Sequence, residues 1–456
     1  MVTSNQRPIA VDLFAGAGGM TLGFEQAGFD VLAAVELDPI HASVHEYNFP
    51  FWTTICKSVT ETTGREIREL SAIGDRDIDV VFGGPPCQGF SLMGKRNLDD
   101  ERNTLIWHFL RLVLDLQPKF FVMENVRGIT IGRQKKFLQT IIEEFKNHNY
   151  QVKEEYQVLN AANYGVPQNR HRLFLIGCRS EFILPNYPQP LSQPPGRKDI
   201  QAVNSSRTYQ VGKASSPVLF SSDKTRKHHS SKNNLPFTPT VKDAIGDIPE
   251  VNNYPELEYQ DWVVANYGQP SEYAKRLRNL TFDQDDYSYK REHDPKLLTC
   301  SRRTKHSQQT VTRFAATIPG QSDRISHFYR LDLNGLCSTL RAGTASNRGA
   351  FTSPRPIHPI TPRCITVREA ARLHSYPDWF RFHTTKWHGF RQIGNSVPPL
   401  LAKAIAQQII QALNIIPTKP LQQYHLAQTE LLHFKMSQAE AYHHLETRAI
   451  ARRQRK

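Results

Sequence analysis

Three kinds of side chain that can do chemistry stand in loop-like surroundings in this sequence. Residues 83–91 read GGPPCQGFS and follow an apolar run directly, so Cys87 is delivered at the end of a strand. The commonest fate of a cysteine is burial as a small inert hydrophobe. The Pro, Gln, Gly and Ser around Cys87 are instead loop residues, and two prolines before it stiffen the approach. A thiol so placed is a candidate nucleophile. Residues 121–126, FVMENV, end a second apolar run on Glu124 and Asn125, and a carboxyl facing the same crevice can act as acid or anchor. Residues 168–172, QNRHR, carry Arg170 and Arg172. In an extended segment these two side chains point to one side. An exposed basic loop is the ordinary fate of such a pair.

A ligand site is suggested further upstream. Residues 12–19 read DLFAGAGG, a strand followed by a glycine-rich turn that opens a helix. Glycines let a backbone approach a ligand, and a helix N-terminus offers unpaired N–H groups. The spacing departs from the G-x-G-x-x-G fingerprint of dinucleotide folds. Glu36 follows about twenty residues on, at the end of the second strand, where an acid can accept both hydroxyls of a ribose. A solvated strand-end carboxylate is the commoner fate of a lone Glu, but its position after the turn favours an adenosine-type ligand.

These residues need a scaffold that brings strand ends together. From residue 9 to about 178, short apolar runs alternate with longer amphipathic ones, the pattern of an α/β fold built on strand–helix–strand units around a parallel sheet. Strands are expected at 9–14, 31–35, 78–82, 120–123 and 173–176, and helices at 20–27, 39–47, 104–116 and 134–147. Past residue 184, Pro, Ser, Gln, Asn and Lys dominate to about 234, as in a linker. Residues 240–349 hold scattered aromatics and many basic residues without a period, and no fold is assigned to them. Helical patterning returns at 366–374 and 399–413. The tail from 421 reads as helical and ends in Arg452, Arg453, Arg455 and Lys456.

Composition narrows the partners. The 456 residues include 57 Lys and Arg against 43 Asp and Glu, a net charge of +14 that favours a polyanion. The six cysteines form no C-x-x-C pair and no metal-ligand spacing, which argues against a metal site and against a disulfide framework. The polar N-terminus is no secretory signal, and no apolar run approaches the ~20 residues of a bilayer-spanning helix. A soluble, cytoplasmic protein without membrane contact is expected.

Taken in order, the motifs resemble those of the cytosine-5 DNA methyltransferase family. DLFAGAGG is similar to its first motif, VELDP (35–39) to its second, PPCQGFS to its nucleophile motif, ENV to its sixth and QNRHR to its eighth. TVREAARLHSYPDWF (366–380) resembles its ninth and RQIGNSVPP (391–399) its tenth. The resemblance covers about 11–178 and 355–413, and leaves the middle unmatched, as in a family whose target-recognition region varies. One departure stands at the third motif, where Lys57, Ser58, Val59 and Thr60 replace the acid that meets the adenine amino group. Either Ser58 supplies a weaker contact or the motif lies some residues away.

The resemblance implies a Rossmann-like sheet that binds S-adenosyl-L-methionine, with a second, smaller target-recognition domain. It implies a cofactor site of Phe14, Ala15, Gly16, Gly18, Gly19, Glu36, Leu37, Pro85, Asn395 and Ser396, and catalytic residues Cys87, Glu124, Arg170 and Arg172. Cys87 would attack carbon 6 of cytosine, with Arg170 a candidate to support the thiolate, whose free pKa is about 8.5. Glu124 would protonate N3, and Arg172 would hold the carbonyl oxygen. The target base must leave the duplex stack. Catalytic segments at 1–185 and 361–415 would enclose a variable region at 186–360, with a basic tail at 416–456. The final helix should pack against the first half. The expected partner is double-stranded DNA, the expected state a monomer, and the expected role the modification half of a restriction-modification system. A transfer RNA cytosine methyltransferase and an inactive DNA-binding regulator are the rival readings. The long basic insertion favours duplex DNA over the first, and intact Cys87, Glu124 and Arg172 argue against the second.

Overall fold

The computed structural model describes residues 7–86, 104–196, 235–343, 355–446 and 450. Five strands run parallel in the order β3 (Thr53–Cys56), β2 (Asp30–Glu36), β1 (Ile9–Leu13), β4 (Val80–Gly83), β5 (Phe120–Val126). Helices α1 (Gly19–Ala27), α2 (Pro39–Asn48), α3 (Gly64–Leu70) and α4 (Thr104–Leu116) connect them. Asp38 caps α2 by accepting from the Ile40 and His41 N–H groups, with Pro39 in the first turn. Gly28 ends α1 at φ 112°, a left-handed conformation suited to glycine.

The sheet is not parallel throughout, as the sequence pattern suggested. After α5 (Arg133–Asn147), strands β6 (Tyr150–Val152) and β7 (Gln157–Asn160) and the two-residue β8 (Gln168–Asn169) lead to β9 (His171–Arg179). Strand β9 runs antiparallel to β5, β6 and β7. Strands β6 and β7 follow one another along the same edge of β9, and the ten residues 161–170 that join β7 to β9 are fewer than the dozen or more a parallel crossover needs.

Alternate residues of the central strands face opposite layers. Ala10, Phe82, Phe120 and Val122 join a core that includes Leu22 and Phe24 of α1, whereas Val11, Val81, Phe121 and Met123 pack with Ile67, Leu112, Val113 and Ile141 of α3, α4 and α5. Burial on both faces is why these strands read as unbroken apolar runs.

The middle region contributes α6 (Val241–Ile245), α7 (Glu272–Leu277), α8 (Gln308–Ala316) and two-residue strands. Strand β10 (Val263–Val264) pairs with β12 (Leu297–Leu298), β11 (Lys290–Arg291) with β14 (Gln423–Tyr424), and β13 (Cys337–Ser338) with β8. Elements this short give no periodicity to read. Val251, Leu257, Val263, Ala265 and Leu298 form a small core of their own, while Val241, Ala244, Tyr273 and Leu277 belong to the large core with α1.

Helix α9 (Val367–Leu373) opens with a capping box between Thr366 and Glu369. It is followed by α10 (Lys386–Asn395) and α11 (Pro399–Leu413). The final long helix lies along the first: a Cβ at Gly23 would stand 2.4 Å from the Ala402 Cβ and 2.6 Å from the Pro399 carbonyl. The tail is not the continuous helix expected. It runs as β14 and then crosses α2 as a single 3-10 turn at Thr429–Leu432 and α12 (Met436–Tyr442). Its backbone bonds outward, from Ala427 N–H to the Tyr47 carbonyl and from Thr384 N–H to the Leu432 carbonyl, which a helix would forbid. Leu431 and Leu432 are its buried anchors. The basic end from Arg452 lies outside the described residues. No helix among the described residues is long and apolar enough to cross a membrane.

Candidate active site

The strand order changes direction between β1 and β4, since β1 leads to β2 on one side and β4 to β5 on the other. Open α/β sheets bind ligands at such a switch point, beyond the carboxyl ends of the strands. Leu13 pairs with Gly83 in register, so the turn after β1 and the loop after β4 leave side by side. A Cβ at Gly83 would stand 2.1 Å from the Leu13 carbonyl oxygen, so the two strand ends approach this closely only with glycine there.

Phe14 and Gly16 adopt positive φ in the turn, at 66° and 59°. Gly18, at φ 99°, caps α1, and its Cα lies under the Phe49 ring. Gly19 abuts the C-terminal segment: a Cβ there would be 2.5 Å from the Val397 carbonyl and 2.9 Å from the Ser396 Cβ. Ala15 N–H donates to the Val35 carbonyl, and the Glu36 carboxylate accepts from Gly16 N–H at 2.7 Å and Asp38 N–H at 2.8 Å. Burial pushes the Glu36 carboxyl above its usual range, against the pull of His41 and these N–H groups. Leu37 is 43% exposed on the rim, Asn395 is exposed and Ser396 is half-buried. The Cβ direction at Gly16 faces open space. An open floor, a carboxylate at its edge and an apolar rim suit a nucleoside.

Beneath the turn lies a chain that sequence reasoning did not single out. The Thr21 hydroxyl donates to Asp12 at 2.6 Å and meets His45 Nε2 at 3.0 Å, while His45 Nδ1 meets the Thr54 hydroxyl at 2.9 Å. Burial pushes the Asp12 carboxyl up to about 8 and His45 down to about 3. Uncharged forms of both are therefore favoured.

On the other side of the crevice, Glu124 and Asn125 close β5. Glu124 Oε1 accepts from Arg172 Nε at 2.7 Å, with both side chains largely buried. A Cβ on Gly84 would come within 2.8 Å of Glu124 Oε2, so the carboxylate lies against the loop three residues before Cys87. Asn125 Nδ2 ties that loop by donating to the Pro85 carbonyl at 3.2 Å. Burial raises the Glu124 pKa, while Arg172 and then Arg170 oppose the rise. Arg170 is wholly buried, and its guanidinium donates to the carbonyls of Leu340, Gly394 and Ser396 at 2.8 to 2.9 Å.

The structure thus brings Glu124, Arg172 and Pro85 to one side of the crevice, and the glycine turn, Glu36, Leu37 and Ser396 to the other. Cys87 lies outside the described residues. At the departure noted above, the Ser58 hydroxyl pairs with Thr60 Oγ1 at 2.7 Å and receives the Thr60 N–H. Gln168 and His374, which hold the back of the site, were missed; they are 206 residues apart. No group of three or more His, Cys, Asp or Glu side chains among the described residues could hold a metal ion.

Comparison with known proteins bears on this geometry. The family described as C-5 cytosine-specific DNA methylase matches residues 10–411. The Type II methyltransferase M.XorII of Xanthomonas oryzae pv. oryzae is 53% identical over 449 residues, covering 98% of this chain and 95% of that protein. The Type II methyltransferase M.DdeI of Desulfomicrobium norvegicum is 32% identical over 432 residues and 88% of each chain. Among solved structures, a prophage-encoded E. coli protein described as a candidate DNA modification methyltransferase superposes with a TM-score of 0.65 at 32% identity, covering 90% of this chain and all of that one.

Proposed function

We infer that this chain, which belongs to the C-5 cytosine-specific DNA methylase family, methylates carbon 5 of cytosine within a specific duplex DNA sequence, as the modification half of a restriction-modification system. The observation that carries the mechanism is the Glu124–Arg172 pair held against Gly84, at the entry to the Cys87 loop. Carbon 5 of cytosine is unreactive until a nucleophile adds at carbon 6. The Cys87 thiolate forms that bond, and the ring becomes an enamine. Glu124 supplies a proton to N3 as electron density builds there, a task suited to a carboxyl whose pKa is raised by burial. Arg172 orients Glu124 and donates to the carbonyl oxygen of the base. S-adenosyl-L-methionine, when bound, would supply the electrophilic methyl group to carbon 5 and be left as S-adenosylhomocysteine. Loss of the carbon 5 proton to a base then breaks the bond between carbon 6 and the Cys87 sulfur, freeing the thiolate as Glu124 takes back the N3 proton.

The cofactor fits the turn. Phe14, Ala15, Gly16, Gly18 and Gly19 would form its floor, Glu36 would take the ribose hydroxyls, and Leu37 and Pro85 would complete the pocket. Asn395 and Ser396 close the far side. Arg170, expected to support the Cys87 thiolate, has both terminal nitrogens committed to backbone carbonyls and acts instead as a positioning residue for β9. The catalytic segments, at 1–185 and 361–415, flank a target-recognition region within 186–360, and the protein works as a cytoplasmic monomer. The target base is flipped out of the helix, at a cost of a few kcal/mol that protein contacts offset.

The test is transfer of labelled methyl from S-adenosyl-L-methionine, with bisulfite sequencing to locate the product. Duplex DNA should be labelled and transfer RNA should not. Cys87→Ser should abolish both transfer and covalent trapping on a 5-fluorocytosine duplex, because no carbon 6 adduct forms. Methylation that survives this substitution would overturn the assignment of the nucleophile.

A further inference from the structure

Behind the catalytic pair, five residues close a buried ring of hydrogen bonds. Leu340 N–H donates to Gln168 Oε1 at 3.1 Å, and Gln168 Nε2 donates to His374 Nδ1 at 2.9 Å and to the Leu373 carbonyl at 3.2 Å. His374 Nε2 donates to the Ser396 carbonyl at 3.2 Å, and Arg170 reaches that carbonyl and, with its other terminal nitrogen, the Leu340 carbonyl. Gln168, Arg170 and His374 are wholly buried. The donor inventory fixes the direction of every bond. A backbone N–H must meet the amide oxygen, so the Gln168 nitrogen faces His374 Nδ1, and the imidazole proton sits on Nε2. Burial, with Arg170 beside it, holds the His374 pKa well below the ordinary histidine value, so the ring is uncharged.

Three segments meet here. The first is residues 337–342 of the middle region; β13 in that segment pairs with β8, and the Thr339 hydroxyl donates to the Asn169 carbonyl at 2.7 Å. The second segment is the C-terminal end of α9. The third, residues 394–397, abuts the cofactor turn at Gly19 and is so close to residue 342 that a Cβ on Gly394 would stand 2.3 Å from the Ala342 nitrogen. Leu340 gives both its N–H and its carbonyl to the ring. A shift of residues 337–342 must therefore carry Gln168 and Arg170 with it, or leave buried donors unpaired, which is costly. Arg172, two residues beyond Arg170, holds Glu124.

We propose that His374 and Gln168 are positioning residues through which the target-recognition region and the cofactor segment act on each other, so that duplex DNA and cofactor each bind more tightly in the presence of the other. The proposal rests on the assignment of function above. Coupling of this kind is reciprocal: each ligand changes the affinity of the other by the same factor.

The test uses the full chain, S-adenosylhomocysteine as probe, and a duplex carrying the site located by bisulfite sequencing. Saturating S-adenosylhomocysteine should tighten duplex binding by about tenfold or more in the unaltered protein, within the usual range of such coupling. His374→Asn keeps an acceptor for Gln168 but loses the donor to Ser396, and Gln168→Leu breaks both bonds to α9. Each should cut the factor to below about threefold, whereas His374→Gln, whose amide nitrogen can reach the Ser396 carbonyl, should retain most of it. Thr339→Val alters the same junction at a half-exposed position and carries the test should the buried variants fail to fold; it should reduce the factor in part. A factor that is absent in the unaltered protein, or unchanged in the folded variants while the separate affinities fall, overturns the proposal. Absence of methyl transfer to any duplex would instead overturn the assignment of function.

Discussion

Burial, more than proximity to charge, sets the character of the carboxyls around the crevice. Glu124 keeps a proton more readily than a surface glutamate because desolvation outweighs the opposing pull of Arg172. Glu124→Gln preserves shape but cannot deliver that proton, so single-turnover methyl transfer should slow by about 10²- to 10⁴-fold, with a far smaller change in cofactor affinity. Asp12 shows the same physics below the glycine turn. Its pKa rises on folding to about 8, from about 3.9 in an unfolded chain, so the folded state binds the extra proton between those values. The unaltered protein loses stability from this group as pH rises through that window, by up to about 1.4 kcal/mol per pH unit. Asp12→Asn removes the dependence and can still accept from Thr21. The difference in melting temperature, variant minus unaltered, should climb from pH 4 to 8 and level off above. A difference independent of pH would mean that Asp12 is ionised in the fold.

Between elements, the decisive contact is that of α11 on α1. Gly23 looks like a weak position within a helix, since glycine costs about 1 kcal/mol there relative to alanine. It is required because the Ala402 Cβ and the Pro399 carbonyl occupy the space a side chain would take. Gly23→Ala should destabilise the protein by about 1–3 kcal/mol in chemical denaturation, as overpacking does. Ala402→Gly in the same chain should return part of the loss, since it removes the atom that collides. The tail shows the opposite case, in which a helix-like pattern was overridden. Leu431 and Leu432 gain burial only by crossing α2, and the backbone follows them.

At the scale of the whole molecule, the charge of +14 gives duplex DNA a non-specific attraction on which recognition is superimposed. Log affinity should fall linearly with log salt concentration, with a similar slope for unrelated and target duplexes, because phosphate contacts release counterions from both. Binding indifferent to salt between 50 and 200 mM, a range over which several phosphate contacts cost orders of magnitude, would show that the excess charge faces elsewhere. Residues up to 185 lean on later segments of the chain. The glycine turn rests on Ser396 and Val397, and Arg170 on Leu340 and Gly394.

What the sequence alone determined is what depends on neighbours in the chain. Strands buried on both faces announce themselves as apolar runs, α2 by Asp38 and Pro39, and the glycine turn by its own composition. Most strands and helices of the first half therefore lie within a few residues of expectation. Strand β3, with two threonines and half-buried at the sheet edge, gave no such signal. Only the tertiary structure decided the antiparallel end of the sheet, the path of the tail, the fold of the middle region, and the partnership of Gln168 with His374. Those outcomes depend on donors, acceptors and volumes supplied by residues far away in sequence, and hydrogen-bond satisfaction in a closed interior is settled only when all of them arrive together.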